Sequence, residues 1–156
     1  MAAPIPYLTQ ASFCERVLTE QDGVLSAIRI IDTLHTEIVD SESAKGVVQS
    51  INLLICLRAG PFKGVGTLKI IALMPDGEPS RNSSAISVEL KGGAHGANIV
   101  VNVGVELSKS GVYWYEVYFN DQLLTRTPLS VSVTEKKSEL PKAKKVDQKK
   151  LRKNQT

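Results

Sequence analysis

Apolar residues in this chain recur at every second position over long stretches, and that spacing dictates strands. Ile99, Val101, Val103, Val105 and Leu107 share one parity; Asn98, Asn102, Gly104 and Glu106 share the other, with Val100 the exception. Tyr113, Tyr115, Val117 and Phe119 repeat the pattern around Glu116, and Leu129, Val131 and Val133 alternate with Ser130 and Ser132. A strand turns successive side chains to opposite faces, so period two means one buried face and one wet face. Turn formers separate the stretches: Asp22-Gly23, Asp76-Gly77, Gly92-Gly93, Ser108 to Gly111, and Asn120-Asp121. The pattern predicts strands over 7–18, 24–38, 47–58, 65–74, 83–90, 98–107, 112–120 and 123–133, and no long helix in the body. About eight short strands punctuated in this way predict an all-β fold, an antiparallel two-sheet sandwich. Pro61, Pro75, Pro79 and Pro128 fall at strand ends or edges, where a missing N–H donor is tolerated.

Charge divides the chain. From Glu135 to Thr156 there are nine basic residues (Lys136, Lys137, Lys142, Lys144, Lys145, Lys149, Lys150, Arg152, Lys153) against Glu135, Glu139 and Asp147, a net +6. The other 134 residues carry ten basic and thirteen acidic groups, a net −3. Leu140, Val146 and Leu151 offer too little apolar surface to offset the ordering entropy of such a segment. The expected organisation is an N-terminal segment (1–5), a sandwich domain (6–134) and a Lys-rich tail (135–156) that is disordered or forms a short helix over 142–153 on a partner. No aromatic residue is interleaved with the lysines, so nucleic-acid binding by the tail would be weak, sequence-blind and salt-sensitive.

Composition narrows the class. With 42% hydrophobic and 22% charged residues the chain has globular composition. A chain of this length buries about two thirds of its unfolded surface, so it needs no metal or disulfide to fold. Leu53-Leu54-Ile55-Cys56-Leu57, among the longest apolar runs, is far short of a membrane span. Met1 to Tyr7 has neither the basic region nor the apolar stretch of a signal peptide, and the expectation is a cytoplasmic protein. Cys14 and Cys56 fit a reducing compartment; a bridge between them would require their strands to face each other.

The segment Gly111-Val112-Tyr113-Trp114-Tyr115-Glu116-Val117-Tyr118-Phe119-Asn120-Asp121 carries the most information. It continues through Gln122-Leu123-Leu124 to a last strand entered at Pro128-Leu129-Ser130-Val131. This ending resembles that of immunoglobulin-like sandwiches. Together with Ala11-Ser12-Phe13-Cys14-Glu15, Asp22-Gly23 and Ile28-Arg29-Ile30, it also resembles an uncharacterised family of small bacterial proteins of that fold. The resemblance covers about residues 6–134 and leaves the tail outside. It implies an immunoglobulin-like fold and no chemistry, because the family carries no assigned activity.

The residues themselves offer little chemistry. There is no CxxC, HExxH, EF-hand loop or Gly-x-Ser-x-Gly elbow, and His35 and His95 are far apart, so no catalytic, metal or cofactor site is expected. His95, in Gly92-Gly93-Ala94-His95-Gly96, reads as part of a mobile hairpin connection. Gly60-Pro61-Phe62-Lys63-Gly64-Val65-Gly66-Thr67 lacks phosphate-loop spacing and leads into a strand, so it reads as an inter-strand loop. Cys14 and Cys56 fall within strands, where a cysteine behaves as a small hydrophobe; Arg16 near Cys14 keeps thiol chemistry as an alternative. Glu37, Asp40 and Glu42 read as solvated charge around the 39–46 loop. The sequons at Asn82 and Asn154 carry no meaning in an intracellular chain.

One surface stands out. If Tyr113, Tyr115 and Val117 face the core, then Val112, Trp114, Glu116 and Tyr118 face outward, and the chain's one Trp lies on a wet strand face. Such a patch either contacts a partner or is covered by the N-terminal segment around Ile5 and Tyr7. A second feature is weaker: a two-residue turn at Asp22-Gly23 would set Arg16 opposite Arg29, a weak anion site, whereas a longer loop removes the pairing. The leading functional expectation is a non-enzymatic protein-binding or scaffold module, with a protein partner or self-association through the outer face or an edge strand. The alternative is a nucleic-acid-associated protein held by its tail, and a third reading is an enzyme using Cys14 or His95.

Overall fold

The computed structural model describes residues 3–38, 48–107 and 109–136, with the backbone alone for Asn82. Seven strands follow in order: β1 (Tyr7–Thr19), β2 (Leu25–Ile31), β3 (Thr33–Ile38), β4 (Val48–Leu73), β5 (Pro79–Glu106), β6 (Gly111–Phe119) and β7 (Gln122–Glu135). No described residue is helical.

Two strands are far longer than the sequence pattern predicts. Of the predicted stretches 47–58 and 65–74, residues 48–58 and 65–73 are the two arms of one strand, β4, and residues 83–90 and 98–106 belong to β5. The segment from Gly60 to Thr67 and the segment from Gly92 to Gly96 are therefore strand, not the expected loop and hairpin connection. The two strands run as one antiparallel ribbon with Gly60 paired to Gly93, and the register breaks on either side of that pair. Gly60 (φ 52°) and Gly93 (φ 60°) supply a left-handed backbone that other residues resist. The ribbon bends there and passes from one layer to the other without ending. In the opposite sense, the predicted 24–38 stretch divides at Asp32 into β2 and β3, which join different layers.

The bend creates the sandwich. Residues 48–58 of β4 pair with β1 on one side and with 96–106 of β5 on the other, and β2 flanks β1. Residues 63–73 pair with 79–91 of β5 and with β6; β7 follows β6, and β3 closes the layer by pairing in parallel with β7. Phe13, Leu53, Ile55 and Val101 from the first layer meet Ile70, Tyr115, Val117 and Leu129 from the second in one core cluster. Phe13 and Tyr115 touch edge to face across it, ring centroids 4.9 Å apart.

The order of strands is that of an immunoglobulin domain. The layer with 79–91, 63–73, β6 and β7 follows C′, C, F and G, and the layer with β1, 48–58 and 96–106 follows A, B and E. Tyr113, early in the F-like strand, places its hydroxyl 2.6 Å from the carbonyl oxygen of Glu106 and 2.9 Å from that of Lys109. This contact back to the upstream corner is the tyrosine corner of such domains. The fold is an all-β, immunoglobulin-like sandwich.

Candidate partner-binding face

Strand β6 is built by strict alternation. Tyr113, Tyr115, Val117 and Phe119 are buried; Val112 and Trp114 are exposed, and Glu116 and Tyr118 are half-buried on the outer side. Cross-strand pairing sets their surroundings: Trp114 lies between Leu73 and Pro128, Glu116 between Ile71 and Arg126, and Tyr118 between Lys69 and Leu123. The four residues named from sequence thus share one outer face, with an apolar border.

The face is held by a small network. The Arg126 Nε donates to Glu116 Oε1 at 3.1 Å, and the Tyr118 hydroxyl donates to Glu116 Oε2 at 2.7 Å. The Arg126 guanidinium lies 5.1 Å from the centre of the Trp114 ring. A cation over an exposed indole contributes about 0.5–1 kcal/mol. Its hydrogen bond to Glu116, reinforced by burial and by the carboxylate charge, raises the Tyr118 phenol above its ordinary pKa and keeps it a donor. Tyr7 sits elsewhere, paired with Arg58, with its ring against Gly60 at the ribbon bend. It does not cover Trp114.

Arg126 was missed by sequence reading, although a signal existed. Counting back from buried Leu129, the parity of β7 turns Arg126 outward. Its partner was hidden by a bulge. Asn120 and Asp121, both with positive φ, form a two-residue turn that pairs Phe119 with Gln122 and Tyr118 with Leu123. The register then shifts by one residue, which puts Arg126 rather than Thr125 opposite Glu116.

Residues 10–132 match the model of a family of unknown function, DUF6941. The chain belongs to that family. The whole outer face of β6 and its network with Arg126 lie within the DUF6941 region. An immunoglobulin-like protein from Pseudomonas aeruginosa is similar in structure, with 17% identity, a TM-score of 0.43, and coverage of 85% of this chain and 100% of that one. No curated protein matches the chain.

The other candidate residues are dispersed. The loop after β1 is longer than two residues, closed by bonds from Gly23 N to Glu20 O and from Glu20 N to Val24 O. Arg16 therefore pairs with Ile28, and Arg29 bonds Glu15 at 3.0 Å. The proposed Arg16–Arg29 anion site does not form, because a carboxylate already takes the place an anion would hold. His95 lies within β5, where its Nδ1 accepts a bond from the Lys91 N–H at 3.2 Å; His35 lies on β3. No group of three or more His, Cys, Asp or Glu that could hold a metal ion occurs among the described residues. No helix long and apolar enough to cross a membrane occurs among the described residues either.

Of the tail, Glu135 ends β7 and Lys136 is the one basic residue described; it is exposed and 3.6 Å from Glu37. Lys137, Lys142, Lys144, Lys145, Lys149, Lys150, Arg152 and Lys153 lie outside the described residues, as do Asp40 and Glu42.

Cys14 and Cys56 are free. Their strands are neighbours, but the register sets Cys14 against Asn52 and Cys56 against Gln10. Four residues of strand separate them, about 13 Å at the usual rise, beyond the reach of a disulfide. Burial pushes both thiols up, and at Cys56 the nearby Arg58 opposes that shift. Cys14 has no exposed surface. Brief alkylation of the native protein is therefore expected to label Cys56 and spare Cys14, as read by peptide mass mapping; native labelling of Cys14 would revive thiol chemistry at that site.

Proposed function

We propose that this chain is a non-enzymatic protein-binding module that docks a partner on the outer face of β6, with Trp114 at the centre. The observation that carries this reading is the outward Trp114 clamped beneath Arg126, itself held by Glu116. Trp, Tyr and Arg dominate binding energy at protein interfaces, and Val112, Leu73, Ile71 and Pro128 give the anchor an apolar surround. The network orders these side chains before a partner arrives, which lowers the entropy lost on docking. The edge along β5 is less suited, because Arg81, Glu89 and Lys91 are exposed on it and charges there oppose edge pairing. The scattered histidines and the sealed Cys14 support a role without catalysis, and the two free thiols go with a cytoplasmic setting.

The test uses the full chain as bait in nuclease-treated lysate, with a photo-crosslinking residue at position 112. A discrete protein should crosslink and stay bound at high salt. Trp114→Ala should weaken that complex by at least about 30-fold, the loss of a hot-spot residue. A complex unchanged by Trp114→Ala would sink the reading.

A second reading rests on the +6 segment from Glu135 to Thr156. A nucleic-acid-associated protein bound through that segment would lose its partner to nuclease and to salt, with a steep logarithmic salt slope, and would be indifferent to Trp114→Ala.

A further inference from the structure

Away from the glycine bend the two arms of the β4–β5 ribbon part, and a cleft of about 410 Å³ opens between the layers. That volume lies at the small end of ligand pockets. Ile70, Ala72 and Val103 form its apolar wall, and Arg81, Ser84 and Asn102 stand at its polar side.

Two groups in this cleft lack partners. Arg81 is exposed and makes no ion pair among the described residues. Tyr115 is 1% exposed, and its hydroxyl has no hydrogen-bond partner among the described residues, unlike that of Tyr113 two positions earlier. No sealed side-chain polar atom of the described residues is left unpaired, so the Tyr115 hydroxyl opens onto the cleft it lines. A buried phenol normally finds a partner. Here the described residues supply none, and the open position faces a cavity whose lining also includes the unpaired Arg81. Burial raises the Tyr115 pKa far above the usual phenol value, so the group stays a proton donor at neutral pH.

We infer that this cleft binds a small organic acid with an apolar body, its carboxylate shared by the Arg81 guanidinium and the Tyr115 hydroxyl and its body lying on Ile70, Ala72 and Val103. The guanidinium selects an anion, the phenol supplies a second donor, and the wall rewards a hydrocarbon portion. This site faces the interior of the sandwich and is separate from the Trp114 face.

The experiment is an amide-resolved NMR titration of the full chain with 4-phenylbutyrate, with 4-phenylbutanol as the uncharged analogue of the same skeleton and acetate as the head group alone. Phenylbutyrate should move the amides of Ser84, Asn102, Val103 and Gly104 in a saturable way. The alcohol and acetate should each bind at least about tenfold more weakly, the worth of one charged hydrogen bond or of the apolar body. Arg81→Gln and Tyr115→Phe should each weaken phenylbutyrate while leaving the alcohol unchanged. Shifts elsewhere only, equal affinity for acid and alcohol, or full affinity in Arg81→Gln would overturn the inference. Arg81 is exposed, so its variant keeps the test decisive if Tyr115→Phe disturbs the fold.

Discussion

Gly66→Ala is expected to destabilise the fold by about 2–3 kcal/mol, the upper range for overpacking a well-filled core. Gly66 is buried in β4 with an ordinary extended backbone, so the effect is steric and not conformational. A methyl group there would overlap the ring of Phe119. That ring is fully buried and packed edge to face on Phe62, with centroids 4.8 Å apart, so it has nowhere to swing. Urea denaturation should show a lower midpoint with an unchanged slope. The second arm of the test is Phe119→Leu, which makes room at the same point. In the double variant the two losses should sum to less than additivity requires, because they share one contact. A wild-type midpoint for Gly66→Ala would show that the core yields where these contacts say it cannot.

Tyr113→Phe should cost about 1–2 kcal/mol, the upper side of one hydrogen bond, because it removes the shared donor of two partly buried contacts. The hydroxyl has one proton and two carbonyl neighbours, Glu106 O and Lys109 O, and it ties the start of β6 to the corner after β5. The same corner is pinned outside by Lys109 and Asp76 at 2.6 Å and by Pro75 against Gly111, so the phenylalanine variant should still fold. Its pH dependence gives a second readout. Burial raises the Tyr113 phenol above its unfolded value, with the Glu106 charge adding to the effect, and burial raises Tyr115 further. A native state that holds protons more tightly than the unfolded chain has its full stability below the unfolded pKa and loses it as pH rises. The wild type should therefore weaken above about pH 10, the ordinary phenol value, and Tyr113→Phe should show a shallower alkaline decline. An identical alkaline slope in both proteins would mean that Tyr113 is not sealed in the native state.

Much of this architecture is written locally. Alternation in 111–119 turned Trp114 and Val112 outward and Tyr113 and Tyr115 inward, because side-chain direction in a strand depends only on the residue's own position in the pleat. Asn120-Asp121 marked a two-residue turn, and both residues adopt the positive φ that such a turn requires. The glycines at 60, 64, 92 and 93 were equally visible but misled. Glycine and proline announce that the chain will deviate, and whether it reverses or merely bends depends on what pairs alongside. Gly60 opposite Gly93 lets two strands bend together, a fact held in neither segment alone. The same holds for Asp32, where nothing local separates β2 from β3; the break exists because the two strands find different neighbours.

Sequence by itself determined the all-β class, the facing of most strand residues, the outer position of Trp114 and the charge boundary before the tail. Tertiary structure alone decided the rest. Parallel pairing of β3 with β7, Glu15 beside Arg29, the one-residue shift that puts Arg126 opposite Glu116, and the cleft onto which Tyr115 opens all depend on register between distant segments. The physical division is one of range. Pleat and turn preference act over a few residues, whereas register is settled by the collective packing of two layers, and a shift of one residue moves a side chain to the other face.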